Sequence, residues 1–411
     1  MADLVPRTYR LFLKPGRDRS VTFRHPWLFS GAIASVEALE GAEPGDLGEI
    51  WSSDGKYMAV ATVNPESQII GRILRWTEGE IDDRWVRRGL ESAYRYRREI
   101  LNKDVQAYRW IHGEGDRFPG LIVDQYHDFI VVQPLSLLWY RILDQLAERL
   151  LDISGARGVL LRTENAVRDS QIPGETRTVA GEDPPDRLEI REGPARLLVD
   201  LKGGQKTGLY LDQRLNRISI GRLAAGRNVL VPFAYTGGFG LHAALCGARR
   251  VTLVDSSGPA LELARENWAI NGIKNTGLDI VKADAWDYLR GVKSPYGLII
   301  LDPPSLAKAA RHVDKASRGY KDINMQAMKL LDRGGWLATF SCSQHITTDL
   351  FQKIVFGASR DAGVPMQWVE RLGAGPDHPV SLDHPQGEYL KGMLLRGMDL
   401  GETPGEVDST S

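Results

Sequence analysis

Residues 228–248 read NVLVPFAYTGGFGLHAALCGA, and this stretch decides the fold of the second half of the chain. An apolar strand, NVLVPF, leads into the turn AYTGGFG and then into an apolar helix, so three glycines lie where a strand becomes a helix. Glycine permits a tight turn there and lets a ligand approach the backbone closely. The next strand, residues 249–255, ends in Asp255, whose carboxylate can accept hydrogen bonds from ribose hydroxyl groups. The pattern predicts a nucleoside-binding site.

Strands and helices alternate from residue 195 onward, which predicts βαβ units and a mainly parallel sheet. Two further strands end in acids, Asp284 and Asp302. Ligands of such sheets bind outside the carboxyl ends of the strands. We therefore expect Asp284 to reach an adenine amino group and Asp302 to lie where a substrate base binds. For Asp284, a helix N-cap is an equally good interpretation.

Dinucleotide oxidoreductases use a similar strand, loop and helix. A pyrophosphate requires three spaced glycines beneath a helix N-terminus, and G-x-G-x-x-G is not found in this loop. The spacing therefore favours a methyltransferase that binds S-adenosylmethionine over a dehydrogenase.

A candidate nucleophile, Cys342, ends the apolar stretch GGWLATFSC at residues 334–342. A thiolate is suited to conjugate addition at C6 of a pyrimidine, which would make C5 nucleophilic enough to accept a methyl group. Asp302 could then hold or protonate N3 of cytosine. The alternative is that Cys342 is a small hydrophobic residue closing a core strand. Ser305 follows Asp302-Pro303-Pro304 where amine methyltransferases typically carry an aromatic residue, so methylation of an exocyclic amine is disfavoured.

Two basic segments are candidate RNA contacts, with a solvated surface as the alternative for each. The first is a predicted loop over residues 306–324, in which Lys308, Arg318 and Lys321 would hold phosphates and Tyr320 would stack on a base. The second is the predicted charged helix of residues 81–103, which interleaves arginines with aromatic residues.

Composition limits the classes of protein that fit. The chain has 411 residues, 42% of them hydrophobic, so two or three globular domains are expected. Lys and Arg (52) nearly balance Asp and Glu (53), so nucleic-acid binding must come from local patches. Two cysteines make no disulfide framework, and no apolar run approaches the roughly 20 residues of a membrane helix. We expect a cytoplasmic protein that binds no membrane and no metal.

Several longer stretches together resemble the ribosomal RNA large subunit methyltransferase I family, and they run from about residue 10 to 396. They are LFLKPGRDRS, HPWLFSGAI, HGEGDRFPGLIVDQY, TGLYLDQRLNR, FAYTGGFGLHAA, VDSS, LDPPSLAKA, RGYKDIN, TFSCSQH, DHPVSL and GEYLKGMLLR. This family makes 5-methylcytosine in 23S ribosomal RNA.

The resemblance implies a fold of the α/β class with three parts. Residues 1–76 would form a β-barrel PUA domain that binds RNA, residues 77–194 a small α+β domain, and residues 195–396 a class I (Rossmann-like) methyltransferase domain. A flexible tail, residues 397–411, would follow. The resemblance also implies a homodimer.

The resemblance assigns roles to individual residues. Cys342 corresponds to the catalytic cysteine and Asp302 to the aspartate of the DPP motif, with Pro303 and Pro304 beside the substrate. The implied contacts to S-adenosylmethionine are Gln213, Arg214, Phe233, Tyr235, Thr236, Gly237, Gly238, Asp255, Ser256, Asp284, Ala285 and Asp302.

The leading hypothesis is a methyltransferase that forms 5-methylcytosine in RNA, 23S ribosomal RNA above all, through a Cys342 adduct. One alternative keeps the cofactor but changes the base or the RNA. Another is a non-catalytic RNA-binding protein that keeps the fold.

Overall fold

The computed structural model describes residues 3–163, 171–307 and 309–398. Contacts divide the chain into two compact units. Unit 1 contains Met1–Glu192, Val199–Leu211 and Gly375–Gly387, and unit 2 contains Gly193–Leu198, Asp212–Ala374 and Glu388–Ser411. No helix in the described ranges is long and apolar enough to cross a membrane. The predicted tail lies outside the described residues from position 399 onward.

Unit 1 begins with an all-β module, as its short apolar runs and turn residues predict. Its elements are β1 (Arg7–Leu13), α1 (Arg19–Thr22), β2 (Trp27–Phe29), β3 (Ile33–Ala38), β4 (Leu47–Trp51), β5 (Tyr57–Val63) and β6 (Ile69–Arg75). These strands form one sheet in the order β2-β6-β5-β4-β1-β3. Leu11, Leu28 and Ile50 are fully buried in its core.

The second part of unit 1 combines helices with a five-stranded sheet. Its elements are α2 (Asp83–Ile100), β7 (Ala107–His112), β8 (Leu121–Tyr126), β9 (Phe129–Pro134), α3 (Leu137–Arg141), α4 (Leu143–Ser154), β10 (Gly158–Arg162), β11 (Thr176–Gly181) and β12 (Leu188–Glu192). The sheet order is β11-β10-β9-β8-β7. Helix α2 begins where the Asp82 carboxylate accepts a hydrogen bond from Trp85 N at 2.8 Å.

A late segment, Gly375–Gly387, packs within unit 1, although we assigned it from the sequence to the methyltransferase domain. Hydrogen bonds of Asp377 hold this segment in unit 1. Its Oδ2 accepts from Arg109 N at 3.1 Å, and its carbonyl oxygen accepts from the guanidinium group of the buried Arg97 at 2.9 Å. The proposed domain boundaries at residues 76, 194 and 396 stay a prediction.

Unit 2 is built on a seven-stranded sheet. After β13 (Ala195–Val199), its elements are α5 (Arg214–Gly221), β14 (Asn228–Pro232), α6 (Gly238–Leu245), β15 (Arg250–Asp255), α7 (Gly258–Ile270), β16 (Gly277–Lys282), α8 (Ala285–Gly291), β17 (Tyr296–Leu301), α9 (Val313–Lys329), β18 (Leu331–Ser341), α10 (Thr348–Ala362), β19 (Met366–Gly373) and β20 (Lys391–Gly397). Every residue of β17 is buried, as expected for a central strand covered on both faces.

The order of this sheet, β16-β15-β14-β17-β18-β20-β19, confirms the predicted Rossmann-like arrangement. Strands β14 to β18 pair in parallel, whereas β20 pairs antiparallel with both β18 and β19. Strands β15 and β16 lie on one side of β14, and β17 and β18 lie on its other side, so the direction in which strands are added reverses at β17. This reversal creates a crevice at the carboxyl ends of β14 and β17, where ligands of such sheets bind.

Candidate functional site

The glycine loop after β14 has an unusual backbone. Phe233, Tyr235 and Gly237 all have positive φ angles, of 61°, 49° and 77°. Residues with side chains rarely adopt this conformation, so the surroundings must impose it. Tyr235 N donates to Asp255 Oδ2 at 2.8 Å, and Ala234 N donates to the Val254 carbonyl at 2.9 Å. The loop is therefore held in one shape by the neighbouring strand β15.

Asp255 uses both carboxylate oxygens within the chain. Its Oδ1 accepts from Ser257 N at 2.9 Å while its Oδ2 holds Tyr235. Each oxygen has a second lone pair, which leaves acceptor capacity for a ribose. Ser256 is exposed beside it.

Asp284 caps helix α8, the alternative that its sequence context left open. Its Oδ1 accepts from Trp286 N at 2.9 Å and from Asp287 N at 3.1 Å. Phe233 packs edge-on against Trp286, with 4.8 Å between the ring centroids. These rings bring the loop after β14 close to the start of α8, where Ala285 is the buried first residue. Trp286 was missed from the sequence because it lies inside a helix rather than at a strand end.

Gln213 and Arg214 lie at the start of α5 and are buried, with exposures of 2% and 5%. Gln213 Oε1 accepts from Asn216 Nδ2 at 2.6 Å. Gln213 Nε2, by contrast, has no hydrogen-bond partner within the described residues. A buried donor without an acceptor is costly unless a ligand supplies one. This unpaired amide fits the carboxylate of an amino-acid cofactor such as S-adenosylmethionine. Thr236 and Gly238, in the glycine loop after β14, are buried as well.

Asp302, Pro303 and Pro304 follow β17 directly, at the same sheet edge as Cys342, which follows β18. The Cys342 thiol lies 4.0 Å from the Pro303 carbonyl oxygen. Asp302 and Cys342 are both half-buried, and Pro304 is exposed. The structure thus brings together the two residues proposed to act on the substrate.

Ser343 connects the two loops and was not singled out from the sequence. Its Oγ accepts from Leu306 N and Ala307 N, each at 3.1 Å, and pairs with the Tyr320 hydroxyl at 2.9 Å. Since Ser343 is fully buried, these bonds fix the segment after Pro304 to the segment that carries Cys342.

The predicted RNA-binding loop of residues 306–324 is wrong from Val313 onward, where helix α9 begins. Tyr320 is fully buried on this helix, so it cannot stack on a base. Lys321 pairs with Asp361 at 2.6 Å. Arg318 is exposed, and Lys308 lies outside the described residues.

Lys391 is a third residue that the sequence did not reveal. It opens β20 opposite Ser341, and its Nζ donates to the carbonyl oxygens of Ser343 at 2.8 Å and Tyr389 at 2.7 Å. The side chain is 5% exposed, and it forms no ion pair with any described residue. Burial lowers the pKa of Lys391 to about 8, although Cys342 and Glu388 raise it.

Comparison with known proteins defines the class. A family model for S-adenosylmethionine-dependent methyltransferases matches residues 140–396, and a PUA-like domain model matches residues 11–76. A solved structure described as a methyltransferase complexed with SAH has a TM-score of 0.80 at 21% identity, covering 94% of this chain and 99% of that chain. The protein is therefore an S-adenosylmethionine-dependent methyltransferase with a PUA-like N-terminal domain, as expected.

Closer relatives define the family. Ribosomal RNA large subunit methyltransferase I of Cronobacter sakazakii is 40% identical over 395 residues, covering 95% of this chain and 99% of its own. The protein of the same name from Serratia proteamaculans is 39% identical over 399 residues, covering 95% and 100%. The chain belongs to the ribosomal RNA large subunit methyltransferase I family, which confirms the resemblance.

Proposed function

We propose that this enzyme forms 5-methylcytosine in 23S ribosomal RNA through a covalent adduct with Cys342. The observation that carries the proposal is the placement of the Cys342 thiol 4.0 Å from Pro303 O, beside Asp302 and at the carboxyl edge of a methyltransferase sheet. The names of the relatives support ribosomal RNA as the substrate.

The proposed chemistry begins with the Cys342 thiolate. Its electron pair adds to C6 of cytosine, and the electrons of the C5–C6 double bond become available at C5. Asp302 holds or supplies a proton at N3, where charge develops, and a proton that it supplies returns to Asp302 when the thiolate leaves. Bound S-adenosylmethionine supplies the methyl group. A base then takes the C5 proton, the C5–C6 double bond re-forms, and the S–C6 bond breaks to return the thiolate.

The cofactor would be held by residues at the carboxyl ends of strands β14 to β17 and by residues at the start of α5. We assign the glycine loop with Phe233, Tyr235, Thr236, Gly237 and Gly238 to its nucleoside. We assign Gln213 and Arg214 to its amino-acid part, because the unpaired Gln213 amide is a donor for a carboxylate. The remaining assigned contacts are Asp255, Ser256, Asp284, Ala285 and Asp302.

Exposed Arg318 and partly exposed Lys321 remain proposed RNA contacts beside the crevice. We further propose cytoplasmic action, where a catalytic thiol stays reduced. The homodimer implied by the family resemblance also stays a prediction, which sedimentation equilibrium tests directly.

The adduct can be trapped with RNA that carries 5-fluorocytidine, because fluorine replaces the proton that the base must remove. With S-adenosylmethionine, we expect wild-type protein and Cys246→Ala to give an RNA complex that survives denaturation, and Cys342→Ala to give none. Cys246 is the matched control because it lies behind the glycine loop, at the end of α6. A complex that forms equally well with Cys342→Ala would overturn the proposed mechanism.

A further inference from the structure

Unit 1 contains a cavity of about 780 Å³ that no step of the proposed chemistry uses. It lies along helix α2 and is bounded by residues from the end of β6, from the turn after β7 and from the segment Gly375–Gly387. Cavities that take small molecules or parts of larger ligands typically measure about 300–1,000 Å³. The size therefore suits one or two nucleotides.

The cavity carries uncommitted positive charge. Arg84 and Arg88 line it one turn apart on α2, so their guanidinium groups project from the same face. Both are exposed, and neither forms an ion pair or side-chain hydrogen bond within the described residues. Arg87, on the neighbouring face, is instead paired with Glu91 at 2.9 Å.

Three acidic residues line the cavity; Glu80 is exposed, and the carboxylates of the other two are committed within the chain. Asp82 caps α2, and Asp116 binds the buried Arg97 at 2.5 and 2.7 Å. Aromatic rings complete the lining. Trp85 packs on the buried Phe118 with 5.6 Å between the ring centroids, and the Tyr96 hydroxyl is fixed to Pro376 O at 3.0 Å.

We propose that this cavity binds a nucleotide of single-stranded RNA, with Arg84 and Arg88 on its phosphate and Trp85 or Tyr96 against its base. Arginine pairs bind phosphates through charged hydrogen bonds, and aromatic rings stack on unpaired bases. The inference rests on the proposed RNA substrate and gives that RNA a contact remote in sequence from Cys342.

The test is titration of a short fluorescent single-stranded RNA at several salt concentrations. We expect the double variant Arg84→Ala and Arg88→Ala to bind about tenfold to a hundredfold more weakly, with a salt dependence reduced by about one or two phosphate contacts. Arg87→Ala, the control, should change affinity by less than about threefold. All three arginines are solvent-exposed, so the variants are expected to fold.

Equal affinities for the double variant and Arg87→Ala would overturn the cavity proposal, as would equal competition by duplex RNA. Failure of the proposed function gives a different result from failure of the cavity proposal. In that case the wild-type protein binds RNA but forms no 5-methylcytidine.

A second inference comes from Lys391, in unit 2. Its ammonium group bonds the carbonyl oxygen of Ser343, the residue next to Cys342, and the strand register places it opposite Ser341 on the other side of the cysteine. The other charged or titratable groups that act on it are the Cys342 thiol and Glu388. Its neighbour Tyr389 bonds Asp212 at 2.6 Å.

We infer that Lys391 is a positioning residue whose positive charge favours the thiolate form of Cys342. A nearby cation stabilises a thiolate. Burial of a charged lysine beside neutral carbonyl groups lowers the stability of the folded protein, so we expect the charge to serve the chemistry of the site. The same side chain fixes the backbone that carries the thiol.

Alkylation of Cys342 by iodoacetamide tests this inference without RNA or cofactor. The chain has two cysteines, so Cys246→Ala leaves Cys342 as the single thiol. In this background Lys391→Gln keeps donors for the carbonyl groups but removes the charge. We expect alkylation about tenfold slower near neutral pH, with its pH profile shifted upward.

Lys391→Arg keeps the charge and should restore most of the rate. Lys391→Met is a second neutral variant, and thermal unfolding verifies that each protein is folded. If the neutral variants alkylate with the wild-type rate and pH profile, Lys391 is merely structural and the inference is overturned.

Discussion

Replacing Lys391 with Met removes a buried ammonium group, and the effect on the free energy of unfolding should depend strongly on pH. In the unfolded chain the pKa of this lysine is 10.5, whereas burial lowers it to about 8 in the folded protein. Each pKa unit corresponds to about 1.4 kcal/mol, so the gap amounts to about 3 kcal/mol.

The direction of this pH dependence follows from the lower pKa in the folded protein, which binds the proton more weakly than the unfolded chain does. Between the two pKa values the unfolded chain binds the proton and the folded protein releases it, so wild-type stability rises with pH. Below about pH 8 the folded protein carries the full cost of charging the buried group. The methionine variant has no such group. We therefore expect its stability relative to wild type to fall by about 3 kcal/mol between neutral pH and pH 10.5.

Urea unfolding of both proteins across this pH range measures the difference, in which the titration of groups that do not interact with Lys391 cancels; both proteins carry Cys342→Ala, so that the thiol does not titrate differently in the two. Lys353→Met serves as the control, because that side chain is 70% exposed and no burial is relieved. A stability difference for Lys391→Met that stays flat with pH would show that burial does not lower the pKa of Lys391.

Three further outcomes follow from contacts in the structure. Asp255→Ala removes the acceptor for Tyr235 N and Ser257 N, and calorimetry should show S-adenosylmethionine binding about tenfold to a hundredfold more weakly; unchanged affinity would contradict the anchoring role. Tyr320→Phe should cost about 1 kcal/mol in thermal unfolding and leave RNA affinity unchanged; weaker RNA binding would indicate a direct contact. Arg97→Met leaves Asp116 buried without its cation, and denaturant unfolding should show a loss of about 3–5 kcal/mol; a loss below about 1 kcal/mol would refute this.

The parallel sheet and its ligand edge could be predicted because their signals are local. An apolar strand, a glycine turn and a helix follow one another within residues 228–245, and Asp255 and Asp302 each come directly at or after a buried strand. The order of such units along the chain limits how the strands can be arranged, so the position of the crevice follows.

The contacts around the thiol could not be predicted because they depend on pairing between distant segments. Lys391 reaches Ser343 only because β20 inserts antiparallel between β18 and β19. No local pattern near residue 391 indicates that arrangement.

Helix α9 was predicted wrongly for a different reason. Its sequence contains a helical pattern of apolar residues, but the prediction gave more weight to its charged residues. Its many charged residues suggested a loop. Ala316, Tyr320 and Ile323 nevertheless recur at helical spacing, and all three are buried. The periodicity of apolar residues is a better guide than charge density.

Methyl transfer to C5 of cytosine by means of Cys342 can be measured directly in the RNA product. Unmethylated 23S ribosomal RNA is incubated with labelled S-adenosylmethionine and the protein, digested to nucleosides and analysed by mass spectrometry. We expect 5-methylcytidine with wild-type protein and with Cys246→Ala, and no labelled nucleoside with Cys342→Ala. Label in any other nucleoside, or full activity of Cys342→Ala, would contradict the formation of 5-methylcytosine through Cys342.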